Sequence, residues 1–287
     1  MGDAHWRLRH GRKENTYPTR PSRARSTPQQ QPVGDLGFPI SFAKKRRVVL
    51  VLGETDSGKT LFIRLMIYCN RNNVDQVIVF SETATYESPL RFTDSIVSEY
   101  KPEIVDTIVN IQDKRLKLIG KDAPVDKLTN NPIPHILLVF DDLDIDYSQD
   151  PVINSLVTRH RHLYISIIFS VQYYTMVSRK MRSLCSYLCL RTIRGRGNME
   201  ELYDFLSQFF EDFKQFRAWS IVATRDFSSI VFYLRGDQIW DEDVFEVRHD
   251  PETVPYFRIG QLQKRMFAHN VYNSDVQHLL HSGAGVV

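Results

Sequence analysis

The chain has 287 residues, 42% hydrophobic and 25% charged, with a formal net charge of +3. That is apolar material for one large domain or two small ones with a substantial core. No apolar run approaches a membrane span in length, so a soluble protein with no membrane partner is expected.

Residues 1–38, the expected first segment, are rich in Arg, Pro, Gln, Ser and Thr and poor in large aliphatics. The run TRPSRARSTPQQQPVG cannot bury enough apolar surface to offset its ordering entropy, so a disordered basic tail is expected. Eleven Lys and Arg against three Asp and Glu fall within residues 1–47, leaving 26 against 31 beyond them. The basic character therefore sits at one end. It suits a nucleic-acid-binding arm or, with KKRR at 44–47, a nuclear import signal; it suits a solvated tail equally well. MGDAHWRLRH has no apolar core of a secretory signal, and Gly2 fits a myristoylation signal poorly.

Residues 39–240 form the expected folded domain. Val48–Leu52 is a short apolar, β-branched run, as buried parallel strands are, and LFIRLMIYCN after it alternates at helical spacing. VDQVIVFS (74–81) reads as a second strand and residues 91–119 as largely helical. HILLVFDD (135–142) is a third, very apolar strand. Residues 151–162 read as a helix opened by Pro151, YISIIFSVQ (164–172) as a fourth strand and SYLCLRTI (186–193) as a fifth. NMEELYDFLSQFFEDFKQF reads as one helix with a core-facing aromatic stripe, and 225–236 as a late strand. Strands alternating with helices predict an α/β fold, a mainly parallel sheet with helices on both faces. Residues 241–287 have weak patterning and read as a weakly structured C-terminal extension.

Three cysteines, Cys69, Cys185 and Cys189, lack framework spacing. Free, buried thiols in a reducing compartment are expected, and His160 and His162 supply no zinc pattern with them.

GETDSGKT, residues 53–60, fits the phosphate-loop pattern G-x-x-x-x-G-K-[ST], between a strand and a helix as the pattern requires. Gly53 and Gly58 let the backbone bend across Glu54, Thr55, Asp56 and Ser57, so that N–H groups converge on phosphate oxygens. Lys59 is placed to reach the β- and γ-phosphates of ATP, and Thr60 to give a hydroxyl to Mg²⁺. HILLVFDD ends in Asp141 and Asp142, at a strand end where an acid can hold Mg²⁺ through water. Asp141 is the expected metal residue, and Asp142 the group that orients or deprotonates the attacking water. YISIIFSVQ ends in Gln172, a polar tip suited to sensing the γ-phosphate.

GETDSGKT, LLVFDD, TRHRHLYISIIFSVQ and YYTMVSRKMRSLCSYLCLRTI together resemble the genome-packaging ATPases of large double-stranded DNA viruses, the poxvirus-type branch of the FtsK/HerA superfamily. The likeness covers roughly residues 46–235. It implies a RecA/ASCE-like P-loop NTPase that hydrolyses Mg-ATP to move double-stranded DNA through a homo-oligomeric ring into a capsid, docked on a capsid or portal protein. It implies an intracellular protein of the host nucleus or a cytoplasmic virus factory, carried into the virion in some cases. By position, Lys59 and Thr60 would hold phosphate and Mg²⁺, Asp141 and Asp142 would be the Walker B pair, and Gln172 the sensor. Many relatives in the wider superfamily carry Glu where this chain has Asp142, whose reach is shorter. Ring motors complete each site with a neighbour's arginine. Arg159, Arg161 and Arg182 are candidates, with Arg159 preferred for its place in the Arg-His pair.

DNA contacts would go to phosphates. RKMRSLCSYLCLRTIRGRG (179–197) suits a pore lining and suits an Arg-rich lid over ATP equally well. Three rivals share the loop: a cellular or plasmid DNA translocase of the same superfamily, a P-loop nucleotide kinase, and a nucleotide-gated scaffold. The absence of N-K-x-D argues against a GTPase.

Overall fold

The computed structural model describes residues 38–43, 45–82, 90, 95–119, 133–234, 243–248, 254–255 and 257–259. The basic tail before Phe38 and the last residues of the C-terminal segment lie outside them.

Eight strands form one sheet among the described residues: β1 (Val48–Leu52), β2 (Gln76–Ser81), β3 (Ser95–Ser98), β4 (Ile136–Asp141), β5 (Ile165–Val171), β6 (Tyr187–Leu190), β7 (Ser228–Tyr233) and β8 (Val244–Arg248). Their spatial order is β3-β2-β4-β5-β1-β6-β7-β8. The first six run parallel, β7 runs antiparallel to β6, and β8 runs antiparallel to β7. β5 lies between β1 and β4, pairing Leu52 with Val171 on one side and Asp141 with Ser170 on the other. The strand ends carrying Gly53, Asp142 and Gln172 are therefore neighbours at one edge of the sheet.

β1, β2, β4, β5 and β6 are buried at every position, because helices cover both faces. This explains why they read as continuous apolar runs and not as alternating ones. α1 (Lys59–Cys69) packs Phe62, Ile63 and Met66 on Val49, Val51 and Val139 of one face, together with Phe38, Ile40 and Phe42. The other face packs Leu50, Phe80, Phe140 and Phe169 against α2 (Pro102–Ile119), α3 (Pro151–Arg159), α4 (Arg179–Leu184), α5 (Arg196–Leu206) and α6 (Phe213–Ala223). Phe140 stacks between Phe80 and Phe169, with ring centroids 5.1 Å away on each side. The three cysteines are free and buried, as expected.

Three elements differ from the sequence reading. Within 91–119, residues Ser95–Ser98 form strand β3 beside β2, and the helix starts only at Pro102. β3 is an edge strand of the sheet, and the residue before a proline disfavours helix. The helix expected across 198–216 is two, α5 and α6. Asp212 takes extended backbone and accepts a hydrogen bond from Gln215 N–H, which starts a new helix. The sheet also continues past residue 240 through β8, which pairs with β7.

Candidate nucleotide site

Gly53 follows β1 directly, and its N–H donates to Val171 O at 3.1 Å. Asp56 (φ 58°) and Gly58 (φ 83°) both take left-handed backbone, and this curls residues 53–58 into a concave loop. α1 then begins at Lys59, and no side chain caps its N-terminus. Its first N–H groups and its positive dipole end face the loop, an arrangement that attracts anions. Thr55 and Asp56 are exposed on the rim.

Lys59 is 5% exposed, and its Nζ donates to Glu54 O at 3.0 Å and lies 3.4 Å from Asp142 Oδ1. The ammonium is thus folded back on the loop and on the acid of the next strand but one. Thr60 Oγ1 donates to Asp141 Oδ2 at 3.0 Å. Burial raises the Asp141 pKa, while the Ser170 and Thr60 hydroxyls and the Lys59 charge act against that rise. Ser170 Oγ lies beside Asp141 in the sheet register and favours its charged form, yet neither that hydroxyl nor Asp141 Oδ1, both buried, makes a well-formed hydrogen bond. A buried carboxylate oxygen left bare costs free energy unless a cation or ordered water meets it. With Thr60 Oγ1 alongside, these hard oxygen donors fit a Mg²⁺ ion with its own waters.

Asp142 takes left-handed backbone (φ 52°) just past β4, and this turns its side chain toward Lys59 and Gln172. Gln172 Nε2 donates to Asp142 Oδ1 at 3.0 Å. Behind it, Asn198 Nδ2 donates to Gln172 O at 2.8 Å, and Asn198 Oδ1 accepts from Tyr174 N–H at 2.8 Å. The tip of β5 is thereby held on α5.

Loop, acid pair and Gln172 come together as the sequence suggested; Arg159 does not join them. It ends α3 at the opposite, N-terminal edge of the strands, where its Nη2 bonds Asp113 Oδ2 at 2.8 Å with the side chain 46% exposed. Arg182 lies over the Tyr174 ring, 4.2 Å from its centroid. Sequence reading also missed how residues 191–195 bind to the loop. Glu54 N–H donates to Thr192 O at 3.0 Å, and Glu54 Oε1 accepts from Arg194 N–H at 2.6 Å and Gly195 N–H at 3.0 Å. Position two of the loop thus carries a structural carboxylate, for which the loop pattern offers no signal.

Residues 41–210 match the family described as the Poxvirus A32 protein. The chain belongs to that family. The motifs quoted from the sequence pointed to this same group, the poxvirus-type packaging ATPases. As an A32-family protein the chain is a P-loop NTPase. No protein of curated function matches the sequence. Among solved structures, the pCW3 conjugation coupling protein TcpA with ATPγS is similar at 14% identity over 74% of this chain and 64% of that one, with a TM-score of 0.51. At that identity the likeness is one of fold. The genome packaging NTPase B204 of Sulfolobus turreted icosahedral virus 2, solved with AMPPCP, is 12% identical over 72% of this chain and 98% of that one, with a TM-score of 0.45. The type VII secretion ATPase EccC of Thermomonospora curvata is 13% identical over 77% of this chain and 29% of that one, with a TM-score of 0.49. Among the described residues no helix is long and apolar enough to cross a membrane.

Proposed function

We propose that this A32-family protein hydrolyses Mg-ATP to drive double-stranded viral DNA into a capsid. The observation that carries hydrolysis is the meeting of Gln172 with Asp142 beside Lys59. A water held between that amide and that carboxylate has one group to orient it and one to take its proton.

Residues 53–60 bind the triphosphate through backbone N–H groups and the start of α1. Lys59 leaves Asp142 and Glu54 O for the β- and γ-phosphate oxygens. That exchange takes the Lys59 charge off Asp142 Oδ1 when substrate is present and leaves that oxygen to Gln172 Nε2. Asp142 accepts the proton of the attacking water, and Gln172 donates to that water's oxygen and registers the loss of the γ-phosphate. Thr60 Oγ1 and, through water, Asp141 would hold Mg²⁺, which would neutralise charge on the phosphates. Gln172 passes its change to α5 through Asn198, whose amide grips the Gln172 carbonyl.

A motor ring of identical subunits, docked on a capsid or portal protein, would complete each site with a neighbour's arginine. Arg159 is exposed enough to reach out if it leaves Asp113. Arg194 and Arg196 are 82% and 85% exposed and suit DNA phosphates. Work in a cytoplasmic virus factory or host nucleus follows from that role. Triplex displacement tests translocation: an oligonucleotide bound as third strand on long duplex DNA should be released by the protein with ATP and retained with a non-hydrolysable analogue. ATP hydrolysis without release would limit the function to an NTPase that does not translocate. Phosphoryl transfer to a nucleoside monophosphate would favour the kinase reading.

A further inference from the structure

One buried guanidinium lies on the underside of the phosphate loop. Arg191 directly follows β6, its side chain sealed between the loop and the start of β7, and the residue is 3% exposed. Its Nε donates to Ser57 O at 2.8 Å. Its Nη1 donates to Phe227 O at 3.0 Å, Ser228 O at 2.9 Å and Ser229 Oγ at 2.8 Å. Among the described residues no carboxylate forms an ion pair with it. Burial lowers its pKa to about 10, so it keeps its charge at neutral pH.

The loop glycines are shaped around this side chain. A Cβ on Gly53 would stand 2.6 Å from Arg191 Cβ and equally close to Ser57 Oγ, and one on Gly58 would stand 2.7 Å from Arg191 Nη2. These contacts are too close to exist, so Gly53 and Gly58 answer to the arginine beneath the loop as well as to phosphate above it.

We propose that Arg191 is a positioning residue of the NTPase reaction, fixing which way the loop's peptide groups point. The Ser57 carbonyl and the Gly58 N–H belong to one planar trans peptide and point in opposite directions. With Ser57 O drawn down onto Arg191 Nε, Gly58 N–H is aimed up into the concave side, where an anion would sit. Without that anchor the 57–58 peptide is free to turn, and its carbonyl would then face the phosphates. The other arm of the fork ties the loop to residues 227–229, so the anchor is itself held. Lysine keeps the charge but is not a planar fork, and it cannot serve both sets of acceptors in this geometry.

The proposal rests on the nucleotide reading of the loop. Full-length wild type, Arg191→Lys and Arg191→Met are compared by ATP binding, by kcat and KM for Mg-ATP, and by thermal melting. The expected result is a KM and an ATP dissociation constant about tenfold higher in Arg191→Lys, the loss of one charge-assisted hydrogen bond. Its kcat should fall less than about threefold, since Asp142 and Gln172 are untouched. Arg191→Met should bind still more weakly. If the Arg191 variants do not fold, Ser229→Ala carries the test by removing one Nη1 acceptor, with a KM rise of about threefold expected. Wild-type binding with unchanged KM in Arg191→Lys, or in Ser229→Ala where that variant is used, overturns this inference alone. Wild type that binds no ATP overturns the nucleotide reading, and this inference with it.

Discussion

Gln172 and Asp142 end two adjacent parallel strands, and the amide of one donates to the carboxylate of the other at 3.0 Å. Neither residue needs the other for the fold: both lie past the last paired residues of β4 and β5, and Asp142 takes a left-handed conformation that side chains seldom adopt. Such a conformation is tolerated best by Asp and Asn among non-glycine residues, and it sets the carboxylate 3.4 Å from Lys59 Nζ.

Asp142→Asn keeps that geometry but cannot take a proton. It should lower kcat about 10²–10⁴-fold while ATP binding stays near wild type. Gln172→Ala should lower kcat about tenfold or more, and the double variant should be little worse than Asp142→Asn, the outcome that the proposed sharing of one water by the two side chains requires. Steady-state kinetics with a fluorescent ATP analogue for binding checks each arm.

The buried carboxylate of Asp141 predicts a pH signature. Burial raises its pKa above the ordinary 3.8, so the folded chain holds the proton more tightly than the unfolded chain. Below 3.8 both states are protonated and no difference arises. As pH climbs from there through the folded value, the ionised form increasingly burdens the fold, and above that value the burden is complete. Asp141→Asn should therefore melt higher than wild type at pH 7 without Mg²⁺, with the gap closing as pH falls. Added Mg-ATP should raise the melting temperature of wild type and not that of Asp141→Asn. Thermal melts across pH, with and without Mg-ATP, check both.

Asn70 closes α1 and pins the segment leading into β1. Its Oδ1 accepts from Phe42 N–H at 3.0 Å, and its Nδ2 donates to Ile40 O and Met66 O, each at 3.0 Å. Asn70→Ala strands these buried groups and should cost about 2–3 kcal/mol. Urea unfolding should show a lower midpoint with an unchanged slope, because the surface exposed on unfolding is the same.

The parts of the site carried by adjacent residues were legible in the sequence. GETDSGKT fixes its own turn and helix start, and the acids and the glutamine end apolar runs that had to be strands. The core stripe of α5 and α6 was legible too: Leu202, Leu206 and Phe216 are buried. Arg191 was not legible. It sits in an Arg-rich stretch where neighbours such as Arg194 are 82% exposed, and only the pairing of β6 with β1 brings it under the loop. Glu54 was equally silent, since its partners lie about 140 residues away in sequence. Strand β3 was hidden by its brevity beside a long helical pattern, and the break at Asp212 by an aromatic stripe that continues at helical spacing on both sides.

The central claim is ATP hydrolysis by this site in the service of DNA movement. The most direct measurement is the steady-state ATPase rate of the full chain, with and without long double-stranded DNA, beside Lys59→Ala. The predicted result is a rate that DNA raises several-fold and that Lys59→Ala abolishes in both conditions. A rate indifferent to DNA, or one that survives the loss of Lys59, would contradict it.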